Sequence, residues 1–205
     1  MTTPMEPCLK LIKDGGKLLE DTTLFRQLVG SLFYLTIIRP NISYSVGVFS
    51  QFMDKPCESD LIAAKSILRY VKNTLNFGLM YKQYTSFLLI DFVDADWVGD
   101  VNDRCSTTGY CFNTGWTTIS WCCKKQTSVA LSSCKAEYIA ATMATEECIW
   151  LKMLIQEIFC VLDYPVHIHY DNESAIKLAG KLIFHARSKH IETDYHSVRE
   201  KALTQ

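Results

Sequence analysis

Phe87-Leu-Leu-Ile-Asp-Phe-Val-Asp94-Ala-Asp-Trp97 is the stretch on which the reading of this chain turns. An apolar, β-branched and aromatic run that stops at a carboxylate predicts a strand from Tyr84 to Asp94, with Asp94 at its end. A second such run, Val166-His-Ile-His-Tyr170, stops at Asp171-Asn172. Between them Ser132 or Ser133 caps a long helical pattern reaching about Phe159. Tyr138, Ala141, Ala144, Cys148, Leu151 and Ile155 recur on its inner face. Glu137 stands about one turn into that helix. A strand, helix, strand unit calls for a right-handed crossover and parallel pairing.

Working outward, Thr107 to Asn113 and Thr117 to Lys124 read as two further strands joined by a turn containing Gly115. The fold class is therefore α/β: a mixed sheet with three antiparallel strands, then a parallel strand reached through a helix. Asn172 to Ala179 starts another helix, and an amphipathic pattern runs from about Ser188 to Leu203. With the first and fourth strands as neighbours, Asp94 and Asp171 emerge side by side, and Glu137 can face both. Open α/β sheets bind ligands at such strand ends. Three carboxylates delivered there suit hard divalent cations, two Mg²⁺ ions for phosphodiester hydrolysis among them.

Each acid has a plainer reading. Asp94 suits a strand-end turn, and Asp96, two residues on, is a rival ligand on the same face. Glu137 suits the first turn of a helix, where the dipole favours a carboxylate. Asp171-Asn172 suits a helix cap. Trp97, Trp116, Trp121 and Trp150 read as core or sheet-packing residues.

Before the sheet, residues 22–38 look helical, with Leu24, Leu28, Leu32, Phe33 and Leu35 at near-helical spacing and Asp21 as a cap. Pro40 stops that segment. Asn41 can cap a second helix to about Met53. A third runs from about Ser59 to Asn73, with Leu61, Ala64, Ile67, Leu68 and Val71 on one face.

The formal net charge of -1 argues against strong electrostatic binding to nucleic acid. It is unevenly spread: residues 1–85 carry 10 Lys/Arg against 7 Asp/Glu, and residues 86–205 carry 11 against 15. An acidic cleft repels phosphate unless metal ions intervene. No apolar run approaches the ~18 residues of a membrane span, and the N-terminus does not read as a signal peptide. A cytosolic or nuclear chain without membrane contact is expected. Nine cysteines without zinc spacing then read as small hydrophobes in a reducing compartment.

Several motifs converge on one family. They include Arg26-Gln-Leu-Val-Gly-Ser-Leu-Phe-Tyr-Leu, Arg39-Pro-Asn-Ile-Ser-Tyr, Asp94-Ala-Asp-Trp-Val-Gly-Asp, Ser106-Thr-Thr-Gly-Tyr and Ala136-Glu-Tyr-Ile-Ala-Ala. Tyr170-Asp-Asn-Glu-Ser-Ala-Ile and Phe184-His-Ala-Arg-Ser-Lys-His-Ile-Glu complete the set. Together they resemble the RNase H domain of copia-type LTR retrotransposon Pol polyproteins, over nearly the whole chain.

The resemblance implies an RNase H-like domain over 84–205, preceded by the helical tail of a reverse transcriptase over 1–80. It implies cleavage of the RNA strand of RNA–DNA hybrids with two Mg²⁺ ions, Mn²⁺ being a possible substitute. The remainder of the polyprotein is the implied partner, and a cytoplasmic virus-like particle or the nucleus the implied location. The family's acids map onto Asp94, Glu137 and Asp171. A fourth is expected beyond Gln205, with a last strand and helix, so a weakened second metal site and poor stability are expected. Asn172, Ser174, Arg187, Lys189 and His190 are candidates for substrate contact, and His185 and His190 for proton shuttling. Lys135 departs from a frequent Glu. An inactive relic of the element and an interaction module built on residues 20–75 are the alternatives.

Overall fold

Alternation along β1 (Ile90–Asp96) sets the geometry of the sheet. Asp91, Val93 and Ala95 are buried, while Phe92 and Asp94 are exposed. In this computed structural model, which describes residues 2–6, 9, 11–13, 15–82, 87–158 and 164–180, β1 is a central strand. It pairs antiparallel with β2 (Thr107–Asn113), placing Asp94 opposite Gly109. β2 continues to β3 (Thr118–Lys125) through a turn in which Gly115 adopts φ 82°. That left-handed conformation is one glycine adopts without strain. On its other side β1 pairs parallel with β4 (His167–His169), Phe92 opposite His169. The sheet order is β3-β2-β1-β4, the mixed arrangement expected from the sequence.

The crossover helix α4 (Ser133–Ile158) buries all six residues read from its periodicity, and Ala136, Glu137 and Ala140 with them. Its two halves pack differently. Toward its C-terminus, Cys148, Leu151 and Ile155 meet Leu89 and Phe112. Toward its N-terminus, Ala136, Ala140 and Ala144 meet Val93, Ala95 and Ala130. Side chains of one methyl let the helix start close to the strand ends. Buried Gln126 ties the same region together, donating through Nε2 to Thr108 Oγ1 (3.0 Å) and to the Ala136 carbonyl (2.9 Å). α5 (Glu173–Gly180) follows β4.

The chain divides into two compact units: residues 1–80 with 100–104 and 123–125, and the rest. The first holds α1 (Thr23–Leu35), a 3-10 turn (Pro40–Ile42), α2 (Ser43–Ser50) and α3 (Glu58–Asn73). Its core includes Phe25, Val29, Leu32, Val46, Phe49 and Ile67. Several sequence expectations need correction here. α1 ends at Leu35, and it turns Phe25 and Val29 inward while Leu24 and Phe33 are exposed. The apolar stripe of α1 is wide and lies opposite Arg26, Gln27 and Ser31: Phe25, Val29 and Leu32 occupy its centre and are buried, and Leu24 and Phe33 lie at its edges. Asp21 does accept from the Thr23 amide at 2.8 Å. Asn41 does not cap α2; it accepts from Arg39 and donates to Tyr70. Leu68 is exposed, and Tyr70 takes an inward place on α3.

In the second unit β1 begins at Ile90 and residues 87–89 before it are not strand; the expected start at Tyr84 lies outside the described residues. The tryptophans are not core residues: Trp97, Trp116 and Trp150 are exposed, and Trp121 is half-buried. Trp97 Nε1 donates to the Ala130 carbonyl at 3.1 Å, and the Lys82 ammonium lies over the Trp116 ring. Each of these rings keeps a polar or cationic neighbour at the surface. Cys57, Cys105 and Cys148 are buried, as small hydrophobes are. The amphipathic pattern at 188–203 lies outside the described residues. Among the described residues no helix is long and apolar enough to cross a membrane.

Candidate metal centre

β1 and β4 run parallel, so their C-terminal ends lie on one edge of the sheet. Asp94 lies in the last half of β1, Asp171 two residues past β4, and Glu137 in the first turns of α4. Each offers one carboxylate oxygen, and these oxygens all lie within 4.8 Å of one another. Asp94 and Asp171 are exposed while Glu137 is buried.

Glu137 carries the electrostatic cost of this arrangement. Its carboxyl is pushed up to about 7, first by burial, then by the negative charges of Asp94 and Asp171. A hydrogen bond from the Ala95 amide opposes the rise. Its Oε2 is buried, with no hydrogen-bond partner among the described residues. An orphaned buried carboxylate oxygen beside two further carboxylates is a donor set of hard oxygens only. Such a set fits a hard divalent cation, whose charge would offset the repulsion.

The rivals separate cleanly. Asp96 lies outside the cluster, its Oδ1 accepting from the Thr107 amide. Asn172 Oδ1 accepts from the amides of Ser174 and Ala175, both at 3.0 Å, and so caps α5. Ser174 is exposed beside it. Lys135 is half-buried, but the charges that act on Glu137 are those of the two aspartates, and the shift is upward. Arg187, Lys189, His190 and His185 lie outside the described residues.

Reading by runs missed two features. Asp91 occupies an inward slot of β1 and is fully buried, with its carboxyl pushed up to about 7, chiefly by burial. A charged residue at an inward position of an alternating strand was the available signal. On the outward face, Phe92 stacks on His169 with ring centroids 5.3 Å apart. That pairing follows only from the β1–β4 register.

No protein-family model matches the chain. It is 43% identical over 201 residues to the retrovirus-related Pol polyprotein from transposon RE1 of Arabidopsis thaliana, covering 98% of this chain and 14% of that polyprotein. It is 42% identical over 174 residues to the corresponding polyprotein from transposon TNT 1-94 of Nicotiana tabacum, covering 84% of this chain and 13% of the relative. The chain thus spans about one seventh of the length of these curated relatives. Among solved structures, LC11-RNase H1 isolated from compost is similar with TM-score 0.43 and 13% identity, covering 58% of this chain and 77% of that one.

Proposed function

We propose a nuclease function on the premise that this chain belongs to the retrovirus-related Pol polyproteins of copia-type transposons. In this reading residues 84–205 act as a ribonuclease H that cuts the RNA strand of RNA–DNA hybrids. Residues 1–80 are the helical tail of the reverse transcriptase, and the remainder of the polyprotein is the partner. The observation that carries the reading is the cluster of Asp94, Glu137 and Asp171, with its buried, unpartnered Glu137 oxygen.

Asp94, Glu137 and Asp171 would hold two Mg²⁺ ions, with Mn²⁺ as a substitute. When bound, the ions supply a polarised water as nucleophile and stabilise the leaving oxygen. The chain's own part is electrostatic. Asp94 and Asp171 present exposed oxygens toward an incoming phosphate, which only a neutralised cluster can approach. Glu137 holds its proton up to about pH 7. It must release it to become a ligand, so metal affinity and cleavage rise with pH through that value. Discrimination between RNA and DNA rests on 2′-hydroxyl contacts and helix shape rather than on base reading.

A fluorogenic RNA–DNA hybrid assay in Mg²⁺ tests this. The parent chain is expected to cleave the RNA strand, and Asp94→Asn and Asp171→Asn to abolish cleavage. Cleavage that persists in both variants removes these carboxylates from the reaction.

A further inference from the structure

A second constellation lies in the helical unit and has no role in the nuclease reading. Arg39 is only 4% exposed. Its Nε donates to Asn41 Oδ1 (3.2 Å), and its terminal nitrogens donate to the Thr74 carbonyl (3.0 Å) and Thr74 Oγ1 (2.7 Å). All three acceptors are neutral, and among the described residues no carboxylate forms an ion pair with it. A guanidinium has five N–H donors, so two are left over. A buried cation without a counter-charge is costly. The C-terminus of α3, where Thr74 sits, offers only about half a negative charge.

This guanidinium lines a cavity of about 500 Å³, with Ile38, Pro40, Tyr70, Phe77 and Leu79 among its walls. Buried Tyr70 accepts from Asn41 Nδ2 at 2.6 Å, which leaves its own hydroxyl proton to donate. Arg39 also lies 5.9 Å from the centroid of the Phe77 ring. Arg39 and Tyr70 thus offer spare donors at this wall, one of them charged; Asn41 and Asn76 line it as well, beside the apolar or aromatic Ile38, Pro40, Phe77 and Leu79. The volume exceeds what a bare inorganic anion fills and lies in the range of small-molecule sites.

We propose that this cavity is a binding site for an oxyanion carried on a flat ring, of which a nucleotide phosphate is the matching class. The Arg39 fork and the Tyr70 hydroxyl would take the phosphate oxygens. The exposed ring of Phe77 would take the flat ring. The same chemistry is offered by a free mononucleotide and by the 5′-phosphorylated end of a nucleic-acid strand.

Titration calorimetry on the 205-residue chain, without divalent metal, tests the proposal with inorganic phosphate, adenosine monophosphate and 5′-phosphorylated hexathymidylate. Adenosine monophosphate is expected to bind saturably and more tightly than inorganic phosphate. Hexathymidylate binding equally well identifies a strand end as the source, and weaker binding identifies the free nucleotide. Arg39→Gln is expected to weaken binding roughly 10- to 100-fold, the worth of charge-assisted hydrogen bonds. Arg39→Lys should retain part of it. Circular dichroism checks that each variant folds; where Arg39→Gln does not, Tyr70→Phe decides, with a several-fold loss expected. Absence of saturable binding by all three probes overturns the proposal. So does parental affinity in a folded Arg39→Gln variant or, where that variant is unfolded, in Tyr70→Phe.

Discussion

Two buried carboxylates of the sheet unit, Asp91 and Glu137, are both pushed up to about 7, and they reach that value in different company. Asp91 lies in the middle of β1, fully buried. Its Oδ1 accepts from the Cys111 amide at 3.3 Å, and Oδ2 has no hydrogen-bond partner among the described residues. After burial and its amide bonds, the charge that acts on it is Glu147. Cys148 is itself pushed up to about 11 by burial and by Asp91. Glu137 lies at the strand ends, where two exposed carboxylates supply the repulsion. Burial alone therefore does not make a carboxylate functional. Around Asp91 only a proton can relieve the charge, whereas around Glu137 an approaching cation can bind three oxygens at once.

The sharpest way to break this comparison is to neutralise each carboxylate in turn. Glu137→Gln is expected to lower hybrid cleavage by about 10²- to 10³-fold, the usual cost of removing one preorganised electrostatic group. It should leave the melting temperature unchanged or higher, because a charge repelled by two neighbours is gone. Asp91→Asn is expected to leave cleavage unchanged. Equal losses in both variants, read in the same assay, would erase the distinction.

Stability against pH gives the next largest effect. Both groups have folded values raised to about 7 from ordinary values of 3.8 and 4.5. Between those limits the folded chain keeps protons that the unfolded chain has released. Their contribution to stability is thus fully present below about pH 4 and is lost as pH rises through 7. Each unit of such a shift corresponds to about 1.4 kcal/mol. Urea denaturation from pH 4 to 8 should show stability falling, and Asp91→Asn should flatten part of the fall. Saturating Mg²⁺ should flatten the part due to Glu137 and leave the part due to Asp91. A slope indifferent to both treatments would contradict the assignments.

Smaller effects separate the surroundings of the two acids. Asn172→Ala removes the α5 cap next to Asp171 and is expected to cost about 1 kcal/mol in chemical denaturation, with some loss of cleavage; Asn172→Asp should retain the cap. Ser120 donates to Glu147 Oε1 at 2.6 Å, on the Asp91 side. Ser120→Ala is expected to cost about 1 kcal/mol and to leave cleavage untouched.

Much of this geometry was legible beforehand because it rests on periodicity. The apolar run at 87–93, the inward stripe of α4 and the apolar run at 166–170 predict strand, helix and strand, and Asp94, Glu137 and Asp171 are the acids these elements deliver. In α1 periodicity sets a wide apolar stripe, and only its centre (Phe25, Val29 and Leu32) is buried, while Leu24 and Phe33 at its edges stay exposed. Periodicity does not reach Trp97 and Trp116, which lie in the turns after β1 and between β2 and β3.

Local sequence thus determined the order of the elements and which acids end them, since both depend on residues close together in the chain. Tertiary structure alone decided between Asp94 and Asp96, because the Thr107 amide that takes up Asp96 comes from another strand. It alone left the second oxygen of Asp91 without a partner among the described residues and put Arg39 beside Tyr70 and Thr74. A side chain's ionisation and hydrogen bonding depend on what the fold brings against it, and those neighbours are distant in sequence.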